Sequence, residues 1–319
     1  MGRIAVLTSG GDAPGMNAAL RAVVRTAVFN DVSICGIEHG YRGIFDNQIR
    51  ALDRYSVADI IHKGGTILYT DRCLVMETEN GPQTAAELLH KYDIDCLIVI
   101  GGDGTFHGAQ ALARCGIKVV AVPATIDNDV SCSDCAIGFD TALNTAIEAI
   151  GRIRDTSSSH NRINVVQVMG RDCGDLALYS GLAGGAEYIL VPEMPYDINE
   201  VAAKIMKGKE KGKMHSIVVF AEGCGDAKEI CTAIQNVTDI ETRATILGYT
   251  QRGGAPTAFD RILASRMGEM AVEMVLRGEV NHAVCYRGGE YISMPLDEAL
   301  ECTHEFDTKV YETAMKLSV

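Results

Sequence analysis

The stretch Pro123-Ala124-Thr125-Ile126-Asp127-Asn128-Asp129 follows an apolar run, Ile117 to Val122, that reads as a buried strand. The heptapeptide is where that strand leaves its sheet. Asp127 and Asp129 are two apart, so in extended chain both carboxylates point to one side. Such a pair repels unless a metal, a cation or a substrate proton compensates. A turn rich in Asp and Asn with solvated charges is the plain alternative. The surrounding chain decides between them.

Working outward, strand-like runs alternate with helix-like segments, the pattern of a mostly parallel α/β sheet. Upstream, Ile4–Leu7 leads through Thr8-Ser9-Gly10-Gly11-Asp12-Ala13-Pro14-Gly15 into a helix from about Met16 to Phe29. Val32–Ile37 reads as a strand, and Ser56-Val57-Ala58-Asp59 as a capping box opening a short helix that ends at Gly64-Gly65. A helix from Pro82 through Leu89 comes next. Cys96–Ile100 is a buried strand, followed by Gly101-Gly102-Asp103-Gly104-Thr105 and a helix to about Arg114.

Downstream, a helix spans about Phe139 to Arg154 and ends at the polar loop Asp155–His160. Strands are expected at Ile163–Met169, Tyr188–Val191, Ile217–Ala221 and Ala244–Leu247. A further glycine loop, Gln251-Arg252-Gly253-Gly254, opens a helix to about Leu276. The natural seam lies near residue 138.

At 319 residues the chain is long for one core and suits two domains. A net charge of −13 argues against non-specific nucleic-acid binding, so phosphate recognition must come from local arginines. No apolar run has the length of a membrane helix. The 11 cysteines, an odd number without an export signal, point to reduced thiols in the cytoplasm. Cys132-Ser133-Asp134-Cys135 is a lone C-x-x-C lacking the second ligand pair of a zinc site.

Three glycine loops, each after a strand and before a helix, have the geometry that holds phosphate on backbone N–H groups. None is a Walker A loop or a dinucleotide fingerprint. Asp103 inside such a loop would repel phosphate, and a divalent cation between them resolves the conflict. Arg72, Arg162, Arg171, Arg243 and Arg252 lie at predicted loop or strand edges, where guanidinium forks reach phosphate oxygens. Arg21 and Arg25 share one helix face. Together these features point to phosphoryl transfer, which requires positioning, a metal, charge stabilisation and a base.

The chain closely resembles the bacterial ATP-dependent 6-phosphofructokinase family over essentially its whole length. The resemblance rests on Leu7–Asn17, Gly101–Gly104, Thr125–Asp129, Asp155–His160, Val168–Arg171 and Gln251–Gly254, in that order. It implies two Rossmann-like three-layer α/β/α domains with mostly parallel sheets. The ATP-binding domain would take 1–138 plus about 251–303, and the sugar-phosphate domain 139–250 plus about 304–319. The implied activity is ATP-dependent phosphorylation of fructose 6-phosphate.

By the same resemblance, Asp127 is the base, with Thr125 and Asp129 beside it, and Arg171 and Arg72 stabilise the transferring phosphoryl group. Gly11, Tyr41, Arg72, Cys73, Gly102, Gly104, Thr105 and Gly108 hold ATP, while Asp103 holds Mg2+. Arg162 and Arg243 from a neighbouring subunit join Arg252, Tyr249 and Gln251 around the sugar phosphate, and Met169, Gly170 and Glu222 line the sugar. The family is a cytoplasmic homotetramer, activated by ADP and inhibited by phosphoenolpyruvate. Arg21, Arg25, Arg54, Asp59, Arg154, Glu187, Lys211, Lys213 and His215 match its effector site.

Pyrophosphate-dependent relatives carry aspartate at the place of Gly104 and lysine at that of Ala124, so both positions point to ATP. The segment Tyr69–Glu77 departs from the family pattern, and Tyr249 stands where histidine is common. A kinase with another donor or another sugar phosphate, and a non-catalytic metabolite sensor, are the competing readings. The intact Asp103, Asp127 and Arg171 speak against the sensor.

Overall fold

The apolar runs become strands because their alternating side chains are buried on both sheet faces, as parallel sheets require. The computed structural model describes residues 3–318. Its strands are β1 (Arg3–Ser9), β2 (Ile34–Ile37), β3 (Ile49–Leu52), β4 (Ile94–Gly101), β5 (Lys118–Pro123), β6 (Ile163–Val168), β7 (Tyr188–Leu190), β8 (Ser216–Ala221), β9 (Thr242–Ile246), β10 (His282–Arg287) and β11 (Glu290–Pro295). The chain divides into unit 1 (Met1–Thr125, Asp129–Thr141, Arg252–His304) and unit 2 (Ile126–Asn128, Ala142–Gln251, Glu305–Val319).

Unit 1 carries the sheet β11-β10-β5-β4-β1-β2-β3. All neighbours are parallel except the edge pairs β2/β3 and β10/β11. Leu7, Leu97, Val99 and Val119 pack on one face against the helices Gly81–Lys91 and Asp103–Arg114. The alternate residues Ile4, Val6, Ile98 and Val120 are equally buried. On their side the helices Met16–Phe29 and Ala258–Arg277 pack together.

Unit 2 carries an all-parallel sheet, β7-β8-β6-β9. Its residues Val165, Val218 and Phe220 meet Val201, Ile205 and Ile230 from the helices Ile198–Glu210 and Ala227–Thr238. The mostly parallel α/β class expected from the alternation is the class observed. Among the described residues, no helix is long and apolar enough to cross a membrane.

Two local expectations fail and one element was missed, each for an identifiable reason. No helix starts at Ser56, because Asp53 Oδ1 takes the N–H groups of Tyr55 (3.0 Å) and Ser56 (2.8 Å) and the Ser56 hydroxyl. Asp59 then turns left-handed at φ 54°. The helix from Phe139 does not stop at Arg154; it runs to Ser158, with the Ser157 hydroxyl donating to the Ile153 carbonyl at 2.7 Å inside it. The β10/β11 hairpin went unread, although Gly288-Gly289 between them is a two-residue turn with both φ positive, 58° and 86°.

All eleven cysteines are free thiols. Burial pushes Cys35 up to about 11 and Cys96 up to about 12, which keeps them protonated and inert. The buried Cys132 thiol shares a hydrogen bond with the Cys285 thiol, while Cys135 donates to the Ala136 carbonyl at 3.6 Å.

One buried carboxylate holds unit 1 together. Asp260, 0% exposed, accepts from the N–H groups of Gly138 (2.9 Å) and Thr141 (2.8 Å) and from the Thr141 hydroxyl. Burial raises its carboxyl to about 6, against the opposing pull of these bonds. The folded state therefore binds this proton more tightly than the unfolded chain does. Its stabilising contribution is full below about pH 4 and is lost as pH rises through about 6. Relative to the parent, Asp260→Asn should gain about 2–3 kcal/mol between pH 4 and 7, superimposed on a constant loss. Urea midpoints across that range check it; parallel pH curves would rule it out.

Candidate active site

β1 and β4 are parallel neighbours with Ser9 beside Gly101, so the loops that follow leave the same carboxyl-terminal edge. Open α/β sheets take their ligands at that edge. Gly102 precedes the helix Asp103–Arg114, whose unsatisfied N–H groups and positive dipole end make it a seat for anions. Thr105 braces the loop by donating to the Ser9 carbonyl at 3.1 Å. An added Cβ at Gly104 would meet nothing within 4 Å.

Tyr41 and Gly108, both expected to touch nucleotide, form a support behind this loop. Tyr41 is buried, donates to the Thr105 carbonyl at 2.6 Å, and its ring would lie 2.6 Å from a Cβ at Gly108. Burial raises the phenol well above its ordinary value, so Tyr41 braces the helix in neutral form. Gly11 is required by close approach, since a Cβ there would sit 2.5 Å from Arg252 Nη1. Arg252, expected at the sugar phosphate, donates to the Asp12 carbonyl at 3.2 Å.

Arg72 is exposed, and its N–H donates to Asp71 Oδ1 at 2.8 Å. Asp71 Oδ2 in turn lies 3.5 Å from Arg42 Nη1. Cys73 is half-buried against the core. Tyr69 stacks on His39 with ring centroids 5.0 Å apart.

Two features of unit 1 fit a divalent cation. The Asp103 side chain is 54% exposed in the first helical turn, 3.6 Å from His107. Asp129 Oδ1 is buried with no hydrogen-bond partner among the described residues. An orphaned carboxylate oxygen is what a hard cation satisfies, and carboxylates are its preferred ligands. Thr125 belongs to the same unit and is 7% exposed. Ala124 is fully buried, its N–H on the Gly101 carbonyl at 2.9 Å.

Past Thr125 the chain is not extended, which corrects the period-two reading of the two aspartates. Asn128 takes φ 55°, and alternation holds only in extended backbone. In unit 2 the buried Asp127 places Oδ2 3.5 Å from Arg171 Nε. Arg171 is itself left-handed at φ 52°, and its N–H donates to Glu222 Oε1 at 3.1 Å. Gly170 permits this turn; at φ 127°, its Cβ would fall 2.5 Å from the Cys173 carbonyl. Gln251 is wholly buried, accepting from the Met169 N–H at 3.3 Å and donating to the Gly248 carbonyl at 3.0 Å. It braces Met169 from inside. Tyr249 is 83% exposed.

Arg162 and Arg243 converge on Glu241, an acid that the sequence reading missed. Arg162 Nε lies 2.6 Å from one oxygen and Arg243 Nε 2.8 Å from the other. Hydrogen bonds from Arg243 and Arg162 hold the Glu241 carboxyl below its usual range. The register Ile163↔Thr242 sets residues 162 and 241 side by side, a pairing that no local pattern announces.

The expected effector residues fall into two groups. In unit 1, Arg21 and Arg25 share the helix Met16–Phe29, with burial and Arg25 lowering the Arg21 value, while Arg54 and Asp59 are exposed. In unit 2, the buried Glu187 is gripped by Lys213 at 2.6 Å, with Arg154 at 3.9 Å. Lys211 lines the small cavity around that pair, and His215 the adjoining one with Arg162.

The phosphofructokinase family profile matches residues 3–275. The ATP-dependent 6-phosphofructokinase of Clostridium botulinum (strain Loch Maree / Type A3) is 54% identical over 318 residues, covering 100% of both chains. ATP-dependent 6-phosphofructokinase 1 of Clostridium perfringens (strain 13 / Type A) is 53% identical over 314 residues, 98% of each. The phosphofructokinase of Saccharomyces cerevisiae superposes with a TM-score of 0.87 at 32% identity, covering 100% of this chain and 48% of that one. The chain thus spans about half the length of the yeast chain. A profile match over most of the sequence and full-length identity above half to the bacterial enzymes establish that the chain belongs to the phosphofructokinase family.

Proposed function

We propose that the protein transfers the γ-phosphoryl group of ATP to the 1-hydroxyl of fructose 6-phosphate, yielding fructose 1,6-bisphosphate and ADP. The observation that carries this reading is the buried Asp127 carboxylate 3.5 Å from the Arg171 guanidinium. Asp127 takes the hydroxyl proton as the oxygen attacks the γ-phosphorus and the bond to ADP breaks. Arg171 and Arg72 stabilise charge on the moving group, and Thr125 assists at the strand end. Unit 1 is the ATP-binding domain, where Gly11, Gly102, Gly104 and Thr105 cradle phosphate. Asp103, with Asp129 Oδ1, would hold Mg2+, which supplies neutralisation of the phosphate oxygens.

Unit 2 is the sugar-phosphate domain, with Met169, Gly170 and Glu222 about the sugar. Arg162 and Arg243, reaching in from a neighbouring subunit of a homotetramer, bind the sugar 6-phosphate together with Arg252, Tyr249 and Gln251. ADP activates and phosphoenolpyruvate inhibits through the Arg21–Lys213 set. The assembly acts in the cytoplasm.

A donor screen tests the reading. ATP should support turnover and pyrophosphate should not, because Gly104 and the buried Ala124 lack the aspartate and lysine of pyrophosphate users. Turnover with pyrophosphate at a rate matching ATP would overturn it. Sugar-phosphate saturation curves run with and without ADP in the same assay read the effector assignment, and identical curves would remove it.

A further inference from the structure

Two contacts between segments of unit 2 bear on the proposed base. One is the Asp127–Arg171 pair at 3.5 Å. The other is a hydrogen bond from Asn128 Nδ2 to Asp175 Oδ2 at 2.9 Å, with Asn128 7% and Asp175 4% exposed. We infer that Asp175 is a positioning residue for phosphoryl transfer, acting through Asn128 to hold the Asp127 carboxylate at its working angle.

The inference rests on the proposed role of Asp127 and on the backbone that presents it. Asn128 is left-handed at φ 55°, a conformation that crowding at the Cβ disfavours. Asparagine tolerates it best when its amide is engaged, and here the amide is bound to a buried carboxylate. Residue 127 shares a peptide plane with residue 128, so relaxation of the turn swings the base.

Asp175 suits the task of anchor. It occupies the first turn of the helix Asp175–Ala183, where the dipole favours a negative charge and the backbone is stiff. Gly174, just before it, donates its N–H to Glu193 Oε1 at 2.8 Å, which ties the same loop down. Arg171 lies four residues upstream in that loop. This buried contact therefore helps set the base and its arginine relative to each other, at a separation where an error of about 1 Å can reduce the rate roughly 100-fold. Asp175 touches neither reacting atom nor substrate in this account.

The test is steady-state kinetics with ATP and fructose 6-phosphate on the full chain, for Asn128→Ala, Asp175→Ala, Asp175→Asn and the Asn128→Ala/Asp175→Ala double variant. The expected result is a kcat lower by about 10–100-fold in Asn128→Ala, with sugar-phosphate KM within about twofold. Asp175→Asn keeps an acceptor oxygen and should recover most of the rate that Asp175→Ala loses. The double variant should be no slower than the slower single one, because both remove the same bond. Asn128→Ala at parental kcat, or multiplicative losses in the double variant, overturns the inference while leaving the proposed function standing. A drop in Tm with kcat per folded site unchanged also overturns it, since that is a purely structural role. Where Asp175→Ala does not fold, Asn128→Ala and Asp175→Asn decide alone. A parent protein without turnover overturns the proposed function and this inference together.

Discussion

Replacing Asp127 by serine is expected to lower kcat by about 10³-fold while leaving fructose 6-phosphate KM within about threefold. A general base acts in the transition state, so its loss falls on turnover rather than on ground-state binding. Serine is smaller and carries no basic oxygen, and the buried pocket around Asp127 accommodates it without overpacking. Steady-state kinetics over sugar-phosphate concentration separate the two parameters. A kcat within tenfold of the parent would show that the proton leaves by another route. A KM raised as much as kcat falls would mean that Asp127 chiefly binds sugar.

Arg171→Ala should cost about 10³-fold in kcat, the effect of removing an arginine that neutralises a transferring phosphoryl group. The backbone N–H of residue 171 still reaches Glu222, so the loop keeps that anchor in the variant. Arg171→Lys should restore little. A lysine ammonium supplies charge but not the planar fork that meets two oxygens. The alanine variant also strips Asp127, only 2% exposed, of the cation at 3.5 Å, so a measurable fall in Tm should accompany the kinetic loss. Near-parental turnover in Arg171→Ala would exclude it from charge stabilisation. Full recovery by lysine would show that charge alone, without geometry, suffices.

The glycine loops were legible because their signal is local. A strand, a glycine-rich turn and a helix start are contiguous in the chain, and β1, β4 and the helices behind them follow that order. The helix Met16–Phe29 was read to its ends because its apolar spacing and flanking turn residues are adjacent to it. Where a local competitor existed, local reading failed. Asp53, three residues before Ser56, captured the hydroxyl that the capping box required.

The residues that escaped notice are those whose partner lies far along the chain. Asp175 reaches across 47 residues to Asn128, Asp260 across 122 to Gly138, and Glu241 across 79 to Arg162. Nothing in the neighbourhood of an aspartate in a helix's first turn distinguishes an anchor from a solvated charge. Tyr41 and Gln251 show the converse. Resemblance marks them as ligand contacts, and the structure adds buried hydrogen bonds to Thr105 and Met169.

The chain order alone therefore determined the α/β class, the glycine loops and the identity of the paired charges around Pro123–Asp129. Periodicity and turn chemistry act over a few residues, and those signals survive in one dimension. Tertiary structure alone decided how the heptapeptide is presented. A left-handed turn at Asn128, held by a distant carboxylate, ends the extended geometry that would set Asp127 and Asp129 on one side. It leaves Asp127 Oδ2 3.5 Å from Arg171 Nε, and Asp129 Oδ1 is buried without a hydrogen-bond partner among the described residues. The physical reason is that a buried polar group must find a partner, and which partner it finds depends on how the chain folds back on itself.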